Sequence, residues 1–207
     1  MATNNLAYNN FIRNISSIDD LNSIYQNVIT NIPEFKDQAS EILRASIVLS
    51  ISALDNYMHE FYRNEIVEGY LGVGNFEIKF DSLLISIQGM RQLDAAPSLD
   101  AKRNYLIQEM RKIQKTDSYQ SPKSIEYIFN NLNIKNIWTQ LETIGIQGLS
   151  ASDIKSELSN IIDRRNKISH ESDWDLINEK KFPIDLGMSI STVNFIKSLV
   201  YGINNIS

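Results

Sequence analysis

The chain has no cysteine and little glycine or proline: among 207 residues there are 8 glycines and 4 prolines. Without cysteine it can form neither a disulfide framework nor a thiolate site for zinc or for catalysis. The lack of cysteine also fits a reducing cytosol, so we expect a cytoplasmic protein. Because glycine and proline punctuate sheets, their scarcity argues against a fold of many short strands.

Signals for export or for a membrane are missing as well. The N-terminus has no basic start followed by an apolar run, the pattern typical of a secretory signal peptide. No apolar run approaches the roughly 18–20 residues that cross a bilayer, so we expect no membrane partner. The formal net charge of -5 argues against adhesion to nucleic acid over the whole surface, although it is compatible with an enzyme that grips a few phosphates.

What the sequence does have is helical periodicity, because apolar residues recur at steps of three and four along most of the chain. We predict a single all-α domain over residues 1–207, a helical bundle built on long antiparallel helices. The strongest predicted helix covers about 36–70, with Pro33 just before it. The other predicted helices cover about 11–29, 80–93, 99–115, 122–131, 135–144, 150–170 and 185–205, those within 71–148 forming a looser insertion.

A polar stretch at 163–171 ends one of these amphipathic helices. The stretch is locally basic, with Arg164, Arg165 and Lys167. On an ideal helix Asn166 and His170 share a face, whereas Arg165 and His170 point about 140° apart. For Arg165 and His170 to act together, the arginine must curl round, the helix must loosen near its end, or a second subunit must contribute.

Two stretches carry a resemblance to a known family. The sequence Arg-Asn-Lys-Ile-Ser-His at 165–170 resembles the motif of the HEPN superfamily, an arginine followed after four to six residues by a histidine. The sequence Ser-Ala-Leu-Asp-Asn-Tyr-Met-His-Glu at 52–60 is similar to a Leu-Asp-x-Tyr-x-His helix of the RiboL-PSP-HEPN branch. The resemblance covers the two long helices and says little about residues 72–148. It implies a HEPN-like helical fold.

The same resemblance implies a metal-independent endoribonuclease, in which the ribose 2′-OH attacks the adjacent phosphate and leaves a 2′,3′-cyclic end. Arg165 and His170 are then the catalytic residues, with Asn166 orienting the imidazole or hydrogen-bonding the phosphate. The resemblance further implies a homodimer whose two motifs face each other across a two-fold axis. The setting that it implies is a bacterial toxin or phage-defence system that acts on RNA, with a cognate antitoxin or regulatory partner.

The residue types suit this chemistry independently of the resemblance. An imidazole with a pKa near about 6.5 can take a 2′-OH proton or, once protonated, donate one to the leaving oxygen. A guanidinium can hold two phosphate oxygens and offset the charge that develops on them. With no cysteine and 2 histidines the chain has little from which to build a transition-metal site, so we expect no metal and no cofactor.

Other interpretations of the polar stretch stay open at the level of sequence. A cation near a helix C-terminus is favoured by the helix dipole, typically by ~0.3–1 kcal/mol, without any catalytic role. The domain could instead be a non-catalytic HEPN-like module that binds a nucleotide, an RNA or a protein. It could also be a purely structural protein whose helix faces pair with a partner chain.

Asp55, on the second predicted helix, has two interpretations. Asp55 supports the site by orienting Arg165 or His170, or it forms a local pair with His59 four residues along the same helix.

Acidic and aromatic residues near the motif are also ambiguous. Glu171 and Asp173 could bind a divalent ion, although carboxylates beside a basic stretch more often balance its charge. Trp138 and Trp174 are expected to be buried, with stacking on RNA bases as the alternative, stronger for Trp174 because it follows the motif.

Overall fold

The computed structural model describes residues 2–74, 76, 78 and 85–206, with side chains from Leu6 onward. These residues form eight helices and one hairpin of two-residue strands, so the all-α prediction is confirmed. The helices are α1 (Ala2–Asn31), α2 (Lys36–Tyr70), α3 (Ile87–Asp94), α4 (Leu99–Ile113), α5 (Pro122–Asn131), α6 (Ile137–Ile144), α7 (Ala151–Glu171) and α8 (Leu186–Asn204), and the strands are β1 (Trp174–Asp175) and β2 (Lys180–Lys181).

The most extensive helix–helix packing is among α1, α2 and α8, each of which packs against the other two. A 3-10 turn at Pro33–Phe35 links α1 to α2, and the fixed φ of Pro33 suits the first helical turn. The buried stripe of α1 meets α2 through an edge-on contact between Phe11 and Tyr57, whose ring centroids are 5.8 Å apart. Both rings are buried, so these helices carry the centre of the hydrophobic core.

By length and composition α8, with 19 residues, could cross a membrane, a finding that departs from our expectation of no such apolar run. Half of that helix is buried inside the protein. Ile196, Leu199 and Ile203 have no exposed surface and belong to the main core. A core helix meets the same criterion, and the packing of α8 accounts for its apolar sequence.

Two of the four helices described between α2 and α7 begin later than the sequence predicts. α3 begins at Ile87 because Ser86 is an extended N-cap whose hydroxyl accepts a backbone N–H of the first turn. Residues 80–84 of that predicted helix lie outside the described residues. α6 begins at Ile137 because Asn136 adopts the left-handed conformation, with φ 55°. The buried side chains of α3–α6 join the same core as α1, α2 and α8.

α7 carries the polar stretch predicted to be functional. Its N-cap is Ser150, whose hydroxyl accepts the backbone N–H of Asp153 at 3.2 Å. Its apolar face is buried through Ile154, Leu158 and Ile161. The helix ends at Glu171, and the next two residues, Ser172 and Asp173, adopt left-handed conformations with φ 54° and 60°. This reversal turns the chain directly into the β1–β2 hairpin.

Candidate functional site

Arg165, Asn166 and His170 lie in the last two turns of α7. Nη1 of Arg165 donates a hydrogen bond to Oδ1 of Asn166 at 3.0 Å, so the structure brings these two side chains together. The arginine is half-buried, and its Nε has no hydrogen-bond partner within the described residues. His170 is exposed and, in the same part of the chain, has no hydrogen-bond or ion-pair partner. The motif therefore offers an exposed imidazole and a guanidinium tied to a neighbouring amide.

The direction of these side chains follows from an unbroken helix. α7 stays helical through Glu171, so the helix does not loosen between Arg165 and His170. Of the three ways in which Arg165 and His170 could act together, that one is excluded. A curled arginine and a second subunit remain, because five helical positions separate the two side chains by about 140°.

Arg164, the neighbour of Arg165, is committed to a buried ion pair. Its Nη1 lies 2.6 Å from Oδ1 of Asp173, and its Nη2 donates to Oδ2 at 2.8 Å. A further hydrogen bond runs from Nη2 to the carbonyl of Pro183 at 3.0 Å. Burial lowers the pKa of Arg164, with Arg44 adding to the effect and Asp173 opposing it. The two adjacent arginines of the polar stretch therefore have different environments.

Asp173 has no exposed surface and is held from two helices. Besides Arg164, Nε of Arg44 on α2 donates to its Oδ2 at 2.7 Å. Nη2 of Arg44 also donates to the carbonyl of Phe182 at 2.8 Å, and Phe182 donates its backbone N–H to the carbonyl of Asp173 at 2.9 Å. We call Arg44, Arg164, Asp173 and Phe182 the Asp173 clamp. Because guanidinium groups face both carboxylate oxygens, Asp173 balances cationic charge, and its surroundings do not suit a divalent ion.

Arg44 was not among the residues predicted from the sequence, although its position in α2 indicates a buried ion pair. Arg44 falls on the buried face of α2 between Leu43 and Ile47, and it is 5% exposed. An arginine is almost never fully buried without a partner, so its place in an apolar stripe predicts a buried acid elsewhere in the chain.

Lys167, the third basic residue of the stretch, contacts an aromatic ring. Its Nζ lies 5.1 Å from the ring centroid of Phe182, and Cζ of Arg164 lies 5.6 Å from the same centroid. Both contacts are within the range of cation–π attraction. Among the basic residues at 164–167, Arg165 is therefore the one with neither an acidic nor an aromatic partner within the residues that the structure describes.

Asp55 and His59 form a separate group on α2. The carboxylate of Asp55 accepts the backbone N–H of Tyr119 at 2.6 Å and lies 3.8 Å from Nε2 of His59. The His59 ring packs on Tyr119, with ring centroids 4.5 Å apart. Asp55 lies eleven residues beyond Arg44 on α2, a rise of about 16 Å. Within the described residues, the structure places Asp55 at the loop before α5 and not in contact with Arg165.

The two tryptophans have different environments. Trp138 is buried and donates from Nε1 to Glu126 at 2.6 Å, as expected. The expectation that Trp174 is buried is wrong, because this side chain is 43% exposed on β1. The hairpin is too short to fold its outer face onto the bundle, and its tip leaves Leu176 and Ile177 83% and 92% exposed. Trp174 is therefore accessible in the chain as it stands.

Comparison with known proteins identifies a family for this chain. The family model described as RiboL-PSP-HEPN matches residues 12–207, a range that includes α2, α7 and the short helices between them. No curated protein and no solved structure matches the chain significantly. Because the family model covers almost the whole sequence, the chain belongs to the RiboL-PSP-HEPN family, a family of HEPN-type domains.

Proposed function

We propose that this protein is a metal-independent endoribonuclease that cleaves RNA through attack of a ribose 2′-OH on the adjacent phosphate. A HEPN-type domain is compatible with a ribonuclease or a nucleotide-binding module. The observation that favours the enzyme is the exposed end of α7, where His170 is exposed and Arg165 has no acidic partner in the described part of the chain. A guanidinium without an acidic partner and an exposed imidazole on the same helix end suit a phosphodiester substrate.

Each side chain has a definite task in this proposal. His170 in its neutral form accepts the 2′-OH proton while O2′ forms a bond to phosphorus and the bond to the 5′ oxygen breaks. A protonated histidine gives its proton to the departing 5′ oxygen. Arg165 offsets the negative charge that develops on the two non-bridging oxygens. Asn166, which accepts from Arg165 at 3.0 Å, orients this guanidinium rather than the imidazole ring.

The proposal includes a homodimer, because the reaction uses both a base and an acid. The motif of each chain contains one histidine, His170. In a dimer, one copy of His170 can act as the base and the other as the acid. The side chains of Arg165 and His170 diverge on an intact helix, so contact with a second copy is also a direct way to bring an arginine and a histidine to one phosphate. A closed two-fold pair is the commonest symmetric assembly.

We further propose that the enzyme works in the cytoplasm as a toxin or phage-defence effector. Uncontrolled cleavage of RNA would harm the cell that makes it, so a cognate antitoxin or regulatory partner is the expected counterpart. This setting is the one that the resemblance to the HEPN superfamily implies.

Purified protein incubated with total RNA in EDTA is expected to produce fragments with 2′,3′-cyclic phosphate and 5′-hydroxyl ends. His170→Ala should abolish these fragments because it removes the proton-transfer group. His59→Gln, which changes the chain's other histidine on α2, is the matched control and should keep the activity. Cleavage that appears only after magnesium is added would contradict the metal-free mechanism.

A non-catalytic module that binds a nucleotide or RNA is the second candidate. It is favoured by the absence, within the described residues, of any group that hydrogen-bonds His170 and so orients its ring.

The two candidates predict different effects on cell growth. The enzyme should make expression toxic, and His170→Ala should relieve the toxicity at equal protein level. A binding module should be harmless when expressed in folded form, and His170→Ala should leave growth unchanged. Growth curves together with immunoblots of soluble protein measure the difference.

A further inference from the structure

The Asp173 clamp closes around the predicted catalytic segment. Arg164 and Asp173 lie directly before and after residues 165–172, and their side chains form an ion pair with N–O distances of 2.6 and 2.8 Å. A backbone hydrogen bond from Asp173 to the carbonyl of Lys167 at 2.9 Å closes the later part of this segment. The last turns of α7, with Arg165 and His170, therefore lie between two residues that form an ion pair with each other.

The clamp also ties this segment to the rest of the fold. Arg44 binds the Asp173 carboxylate from α2 and reaches the carbonyl of Phe182 at the exit of the hairpin. Its remaining nitrogen donates to the hydroxyl of Ser40 at 2.7 Å, so each of the three nitrogens of this buried side chain makes a hydrogen bond. A buried network of this kind fixes side-chain positions more closely than an exposed ion pair does, although Nε of Arg164 has no hydrogen-bond partner within the described residues.

The backbone at the end of α7 needs such support. Ser172 and Asp173 are consecutive residues with positive φ, a conformation that side-chain-bearing residues adopt rarely. Conformations of this kind persist where the surroundings hold them in place. The charge contacts of Asp173 provide that constraint three residues after His170.

We propose that Asp173 is a positioning residue, which fixes the place of Arg165 and His170 through Arg164 and Arg44 without touching the substrate. This inference rests on the proposed ribonuclease function for its effect on activity. Its effect on the end of α7 does not depend on that function. The carboxylate is wholly buried and already occupied by two guanidinium groups, so it acts on the geometry of the segment and not on RNA.

Asp173→Asn is the direct test, because it keeps the shape of the side chain and removes its charge. We expect kcat for cleavage of a defined RNA to fall about 100-fold, the effect of misplacing reacting groups by roughly 1 Å. KM should change little, since Asp173 does not contact RNA. Amide hydrogen exchange measured by mass spectrometry should become faster across 165–172. Asp163→Asn, an exposed carboxylate next to Arg164, is the matched control and should behave as wild type.

A second variant, Arg44→Gln, keeps the Arg164–Asp173 pair and removes the attachment to α2. It should change kcat and exchange in the same direction by a smaller factor, and it carries the test if Asp173→Asn does not fold. The proposal is overturned if a folded variant exchanges its amide hydrogens over 165–172 at the wild-type rate. A loss of thermal stability with unchanged kcat per folded molecule overturns it as well. If the wild-type protein cleaves no RNA, the proposed function fails, and the exchange measurement alone decides whether Asp173 positions the segment.

Discussion

Arg164→Ala is expected to lower the free energy of unfolding by about 3 kcal/mol, whereas Arg165→Ala should lower it by about 1 kcal/mol. Arg164 is one partner of a buried pair, and its removal leaves Asp173 with a single guanidinium in a site without solvent. Arg165 gives up one hydrogen bond to Asn166. The two variants delete the same side chain from neighbouring positions, so each is the control for the other.

Urea denaturation followed by circular dichroism measures this difference. A shift in the midpoint at constant slope reports a change in stability rather than in the unfolded state. If both variants lose the same free energy of unfolding, Arg164 does not have the larger structural role. A larger loss for Arg165→Ala would reverse their roles.

Arg165→Ala is expected to reduce kcat for RNA cleavage by about 10²–10³, the usual effect of removing one group that stabilises transition-state charge. Arg165→Lys should recover part of this loss, because a lysine keeps the charge and lacks the planar fork that binds two oxygens. Single-turnover cleavage of a short RNA separates this step from product release.

Lys167→Met is the comparison that separates a specific role from a general effect of charge. Lys167 is an exposed cation on the same helix end, and it lies over the Phe182 ring. Its loss should raise KM more than it lowers kcat, because it weakens attraction of the phosphate backbone. A reduction of kcat as large as that for Arg165→Ala would place the phosphate-binding role on the basic stretch as a whole.

Periodicity and capping residues were sufficient to predict most helices. α2 and α8 carry wide apolar faces, and α5 begins where Ser121 and Pro122 form a cap and a first turn. The later start of α6 could not be predicted, because it depends on a left-handed Asn136 that no local pattern requires. Such boundaries are decided by how a short helix must turn to bury its side chains in a shared core.

The motif predicted which residues lie at the exposed end of α7. It did not predict which of them form buried ion pairs. The spacing of the motif alone does not distinguish Arg164 from Arg165, since each precedes His170 with four or five residues between, and the resemblance selects Arg165 through the asparagine that follows it. The distinction comes from Arg44, a residue 129 positions away from Asp173, which identifies the buried face. Exposure of Trp174 is also a tertiary property, because a two-residue strand has no period from which burial can be deduced.

The separation of 129 residues between Arg44 and Asp173 has a consequence for synthesis of the protein. Contacts between distant parts of a chain form late, after the entropy of closing a long loop has been overcome. While the protein is being translated, α2 is complete well before the ribosome reaches Asp173 and the Phe182 carbonyl that Arg44 also binds. On the proposed ribonuclease function, we therefore expect a nascent chain to cleave no RNA until the partners of Arg44 have emerged.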